Sequence, residues 1–228
     1  MNMTFLTIGF VALIVLSVLV CYLRYCQDKK EGKEVSHNFF TSERLFVFFI
    51  EIVIAFLGFG MTLTIANANE RQMEKQTAVQ MTEQVIAYMD SQVEREYRYL
   101  LSYDSGKMTA DTLRVSSVSN TAYFESVLTN ELILQNANMT IHGDIMRYVM
   151  WADWATNKAN EATEDDKIRD YLWDRYAYHL KVRSFLQVSR DEMTGAITAE
   201  TADDRRQDIK SRSNLEEVKI YEGTAISD

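Results

Sequence analysis

Apolar residues gather in two runs near the N-terminus, at residues 4–23 and 45–65, and beyond them apolar and polar positions alternate at helical spacing. A membrane-crossing helix needs about 20 mostly apolar residues, because each adds about 1.5 Å across a hydrocarbon core about 30 Å thick. Both runs reach that length. The first has no charged residue and the second has one, Glu51. The pattern predicts a transmembrane hairpin over residues 1–66. The segment before the first run, Met1 to Met3, has no positive charge, and the run is too long for a secretory leader, so it reads as a true span.

Past Asn67 the chain turns polar without a break signal, and Met81, Val85, Met89, Val93 and Tyr97 form an i, i+4 row. This predicts a membrane-proximal stalk helix over residues 67–104, ending near Ser102 at the turn Tyr103-Asp104-Ser105-Gly106. Such a helix either transmits a change between membrane and domain, or only holds the domain off the surface or pairs with its copy. A helical soluble domain is expected over residues 105–190. Tyr123, Phe124, Val127, Leu128, Leu132 and Ile133 read as core, and a turn at His142-Gly143 precedes a helix carrying Ile145, Tyr148, Val149, Trp151, Ala152 and Ala155. Thr163 reads as an N-cap before Glu164, Asp165 and Asp166, opening a helix to about Val188. Residues 191–228 hold ten acidic and five basic residues and either form short strands at 196–198 and 218–221 or read as a mobile tail.

Composition sharpens this into an all-α expectation. The chain has no proline and eight glycines in 228 residues, so little interrupts a helix. Its net charge of −9 argues against general nucleic-acid binding, which relies on a basic surface to neutralise phosphates. Both cysteines, Cys21 and Cys26, sit at the end of the first apolar run, so the soluble part has neither an internal disulfide nor cysteine ligands for zinc.

Lys and Arg near the spans set orientation. The connecting loop holds Arg24, Lys29, Lys30, Lys33 and Arg44, the N-terminal flank none, and the stretch after the second span Arg71 and Lys75. This places the loop in the cytoplasm and the soluble domain outside, in a bacterial inner membrane facing the periplasm.

In the second span Glu51, Ala55, Gly58, Thr62, Ala66 and Asn69 recur at spacings of three and four and share one helical face. Small residues let helices approach closely in lipid, and a carboxylate there should face a bundle interior or a wet cavity. Two readings follow. The stripe either lines a pore between copies, with Glu51 as a cation-attracting ring, or forms a packing seam against the first span, with Glu51 reaching toward headgroups. In the soluble domain Arg175, His179 and Arg183 make an i, i+4, i+8 basic stripe beside Trp173 and Tyr176. It would bind an anionic, nucleotide-like ligand, or else its arginines pair with carboxylates and its aromatics are core.

A phosphate-binding glycine loop, a nucleophile elbow, a His-Glu-x-x-His motif and a calcium loop are all missing, and His37, His142 and His179 are scattered. The expectation is a protein without enzymatic activity, cofactor or metal. Asn138-Met139-Thr140 is a glycosylation sequon, relevant only to an external domain in a eukaryote.

The run from Phe49-Ile50-Glu51-Ile52-Val53 to Ala66-Asn67-Ala68-Asn69-Glu70-Arg71, followed by a long polar helix, resembles uncharacterised small bacterial membrane proteins. The plan of two spans and a soluble domain is similar to membrane effectors of anti-phage defence systems. That resemblance implies a soluble domain that binds a nucleotide signal and a membrane part that opens or disrupts the bilayer. A cytosolic signal would require a cytosolic domain, against the charge count. Together these features lead to a homo-oligomeric integral membrane effector, pore-forming or channel-like, gated by a signal at its helical domain. The alternative is a non-conducting envelope sensor or scaffold that docks a protein partner.

Overall fold

The computed structural model describes residues 30, 42–116 and 121–225, and every element among them is a helix. They are α1 (Ser42–Asp104), α2 (Ala110–Ser116), α3 (Thr121–Leu128), α4 (Glu131–Asn136), α5 (Met139–Glu161), α6 (Asp165–Thr194), α7 (Ala199–Ser211) and α8 (Asn214–Ala225). The chain divides into two compact units, Met1–Arg71 and Gln72–Asp228. The expected first span at 4–23, and with it the hairpin, lies outside the described residues.

In the first unit, α1 is long and apolar enough to cross a membrane. An 18-residue window of it reaches a mean hydropathy of 1.6, and none of that window is buried. Ile54, Leu57 and Ile65 are more than half exposed, the condition of side chains meant for lipid or for another helix rather than for this unit's own core. The hydroxyls of Thr62 and Thr64 donate back to the Gly58 and Gly60 carbonyls at 2.9 and 2.8 Å, which satisfies them inside the helix.

The second unit is built from one face of the α1 segment after Arg71 and from α2 to α8. The predicted row reaches the core: Val85, Met89 and Val93 are buried, and Met81 and Tyr97 partly so, with Ala78 and Leu100 extending it. The segment expected to be a membrane-proximal stalk helix thus contributes one face to the domain core. Phe124, Ile141, Ile145, Ile168, Leu172 and Phe185 fill the space against it.

Local chemistry sets the helix ends. α1 stops at Asp104, where Gly106 takes a left-handed φ of 71° and the Gly106 amide donates to the Tyr103 carbonyl at 2.8 Å. Asn130 and Asn138 cap α4 and α5, each accepting from the amide two residues on at 3.0 Å. The expected turn at His142-Gly143 is therefore the interior of α5, because Asn138 starts the helix four residues earlier. Similarly, the N-cap of α6 is Glu164 rather than Thr163, and it makes no side-chain cap bond. The acids Asp165 and Asp166 in the first turn complement the helix dipole instead. α6 continues past Val188 to Thr194 and ends on Gly195 at φ 78°.

Neither short strands nor a mobile tail is found over residues 191–225. Thr198 caps α7, and Ser213 and Glu216 open α8 with a reciprocal capping box, at 2.8 Å for Ser213 N to Glu216 Oε2 and 3.3 Å for Glu216 N to Ser213 Oγ. Both helices pack on α6 through few apolar side chains, Ala202 and Ile209 from α7 and Val218 and Tyr221 from α8. Ion pairs supply the remainder of the seam, so composition alone looked like a solvated tail.

Candidate functional site

The second unit's most unusual chemistry is a buried ion cluster between α1 and α6. Glu96 sits on the core row of α1, between Val93 and Leu100, and is 2 % exposed. His179 Nδ1 lies 2.9 and 3.1 Å from its two carboxylate oxygens, Arg175 Nη2 is 3.3 Å from Oε1, and the Gln92 amide donates to Oε1 at 3.5 Å. Arg175 and His179 are themselves buried, at 1 % and 3 % exposure. Burial pushes the Glu96 carboxyl up, but the fields of His179 and Arg175, with the hydrogen bonds from His179 and Gln92, outweigh it and hold the group below its ordinary value of 4.5. Glu96 is therefore a carboxylate at neutral pH.

Less buried pairs flank this cluster. Arg169 Nε meets Asp104 at 2.6 Å on one side, and Arg183 Nε pairs with Asp90 on the other. Along α1 the acids run 104, 96, 90 while their partners on α6 run 169, 175 and 179, 183, which is an antiparallel register fixed by charge. Arg175, His179 and Arg183 share one face of α6, and that face meets α1 carboxylates.

Trp173 and Tyr176 join Tyr97 and Tyr221 in an aromatic cluster. Tyr97 and Tyr176 stack at 5.7 Å between ring centroids, and the Tyr97 hydroxyl donates to Glu222 at 3.1 Å. The Tyr176 hydroxyl and Trp173 Nε1 are buried and have no hydrogen-bond partner among the described residues.

Sequence reasoning missed a second cluster. Asp144 on α5 is buried and meets three cations: Arg206 Nε from α7, Arg147 at 3.3 Å and Lys210 at 3.6 Å. Nearby, Lys181 donates to the Arg212 carbonyl at 2.6 Å and lies 5.3 Å from the centre of the Tyr148 ring, while Glu217 is buried with Arg212 at 3.7 Å. Burial lowers the Lys181 pKa and raises that of Glu217, in each case against opposing pulls from their charged neighbours. The signal was present: Glu96 and Asp144 each interrupt an otherwise apolar i, i+3, i+4 row, which an acid does only with a partner.

In the first unit Glu51, Ala55, Gly58, Thr62, Ala66 and Asn69 are all exposed. A methyl group added at Gly58 would meet nothing within 4 Å among the described residues, and the same holds at Gly60 on the other side of the helix. No group of three or more His, Cys, Asp or Glu side chains among the described residues could hold a metal ion.

No family model, no curated protein and no solved structure matches the chain.

Proposed function

We propose that the protein is a membrane-anchored, self-associating sensor and effector, in which copies meet through the stripe Glu51, Ala55, Gly58, Thr62, Ala66 and Asn69 and the second unit receives the signal. What supports this reading is the run of small and polar residues along one face of an apolar helix whose residues 51–70 are nearly all exposed. In lipid, close packing at small residues takes over from the hydrophobic effect as the force of association. A ring of Glu51 carboxylates between copies would favour cations. On the charge count of the loop, the second unit faces outside.

Disulfide cross-linking in a Cys21→Ser, Cys26→Ser background tests the association. Gly58→Cys and Thr62→Cys are expected to cross-link in native membranes, and Leu57→Cys, on the opposite face, is not. Equal cross-linking at all three removes the stripe as the seam. Conduction is tested separately in planar bilayers, where Glu51→Ala should abolish a cation current and Thr62→Leu should reduce it.

A second reading, a non-conducting scaffold that docks a protein, draws on the exposed Met150, Trp151 and Trp154 of α5, at 67 %, 43 % and 48 % exposure. Tryptophan and methionine are enriched where proteins bind one another. Stripe cross-links without any current, together with loss of a co-purifying partner in Trp151→Ala/Trp154→Ala, would favour it.

A further inference from the structure

The cleft between α6 and α7 holds more cationic than anionic charge, on a chain whose net charge is −9. Arg190, Arg205 and Arg212 line it with only two acids, Asp191 and Asp208. Asp191 is divided: one oxygen accepts from Arg190 at 2.6 and 3.0 Å, and the other from Arg205 at 3.3 Å. Arg212 pairs with Asp208 and lies 3.7 Å from Glu217. A guanidinium carries five N–H donors, so sharing carboxylates in this way leaves donors free in all three side chains. The Arg205 side chain is 51 % exposed, accessible to an incoming anion.

The cavity measures about 550 Å³, far more than an inorganic phosphate needs, and within the range of about 300–1,000 Å³ typical of small-molecule sites. Val188 and Ile209 contribute apolar wall to the same cleft. The contrast with the stripe Arg175, His179, Arg183 decides where an anion goes. There each base meets an α1 carboxylate, and two of the three are sealed from solvent. In the α6–α7 cleft two arginines, Arg190 and Arg205, share the single carboxylate of Asp191, and Arg205 is exposed.

We propose that this cleft binds a phosphomonoester with an organic body of sugar or nucleotide size, the arginines gripping the phosphate in bidentate fashion and Val188 and Ile209 taking the body. The inference rests on the reading of the second unit as the signal receiver, and names the chemistry of the signal. The dianion replaces or bridges the Asp191 contacts and draws α6 and α7 together.

The test uses the full chain in detergent micelles, titrated calorimetrically with AMP and with glucose 6-phosphate, with adenosine and inorganic phosphate as the separated halves. At least one phosphomonoester is expected to bind with a sub-millimolar Kd, inorganic phosphate at least tenfold more weakly, and adenosine not at all. Arg190→Gln/Arg205→Gln should weaken binding at least tenfold, and Arg98→Gln, an exposed arginine on α1, should leave it unchanged. Should the double variant fail to fold, phenylglyoxal modification of the wild type gives the same answer, since bound phosphomonoester should protect Arg205 and leave Arg98 reactive. Absence of binding by both probes, undiminished binding in the double variant, unprotected Arg205, or equal affinity for inorganic phosphate overturns the proposal. Stripe cross-linking is a separate measurement, so lost binding with intact cross-links removes the ligand and keeps the membrane reading, and the reverse result does the opposite.

Discussion

Replacing Glu96 with glutamine keeps the side chain's size but removes the charge on which Arg175 and His179 converge. The wild-type cluster is buried throughout, with Glu96 at 2 %, Arg175 at 1 % and His179 at 3 % exposure. Breaking a buried pair by removing one partner costs about 3–5 kcal/mol, mostly because the other charge is left in low dielectric. Domains have only about 5–15 kcal/mol in total, so Glu96→Gln should strip away a large part of the second unit's stability. At about 2–4 °C per kcal/mol for a domain of 150–250 residues, the melting temperature should fall by about 6–20 °C. Circular dichroism of the full chain in detergent at pH 7 reads this out at 222 nm. Adding Arg175→Met, which takes away one of the two bases that face the carboxylate, should recover part of the loss. Acidification supplies an independent check. The Glu96 carboxyl is held below its ordinary value of 4.5 in the fold, so the stability it contributes is complete above that value and lost as pH falls through the lower folded value. The wild type should therefore show a steeper acid limb than Glu96→Gln. A fall of less than 2 °C, or a double variant no better than the single, would refute the view that the cluster is a mutually compensating charge set.

Three further substitutions probe the same unit. Tyr176→Phe removes a buried hydroxyl that has no partner among the described residues, and should leave stability unchanged or raise it by about 1 kcal/mol in a denaturant titration, where a loss above that would show the hydroxyl to be bonded. Glu217→Gln should raise the melting temperature at pH 7.5 and do nothing near pH 4: burial lifts the folded pKa of Glu217 above its ordinary 4.5, so the charged form costs stability above that window and the cost disappears as pH falls and both states become protonated. Asn138→Ala removes the α5 cap and the 3.3 Å bond to Glu192, and should cost about 0.5–2 kcal/mol, measurable as a lower urea midpoint at constant slope.

Periodicity made the elements legible where apolar positions were dense. The row from Met81 to Tyr97 named the buried face of α1 correctly because i, i+4 apolar spacing has one solution on a helix. It did not reveal that the same helix contributes one face to the domain core, since an amphipathic rod and a core helix carry the same row until their covering elements are known. The stripe Arg175, His179, Arg183 was equally visible, but its partners lie 79 to 93 positions away on α1, as the Glu96–Arg175 and Asp90–Arg183 pairs show, and no local rule reaches that far.

The C-terminal helices show why composition misleads when a seam is ionic. A stretch with ten acids and five bases reads as solvated because isolated surface charges contribute little to stability, with a median of about 0–1 kcal/mol per exposed pair. Arg206, however, reaches Asp144, which is buried, and Lys181 crosses to the Arg212 carbonyl at 2.6 Å. These contacts join α7 to α5 and α6 at points where leaving either partner would strand a buried polar group. A few apolar positions, Ala202, Ile209, Val218 and Tyr221, then suffice to set the register. The domain is thus sealed on two sides by charge: α1 against α6 through Glu96, and α7 against α5 through Asp144. The Glu96 seam carries a pH dependence that an all-apolar core does not, because its carboxyl is held below its ordinary value only while the bases of α6 face it.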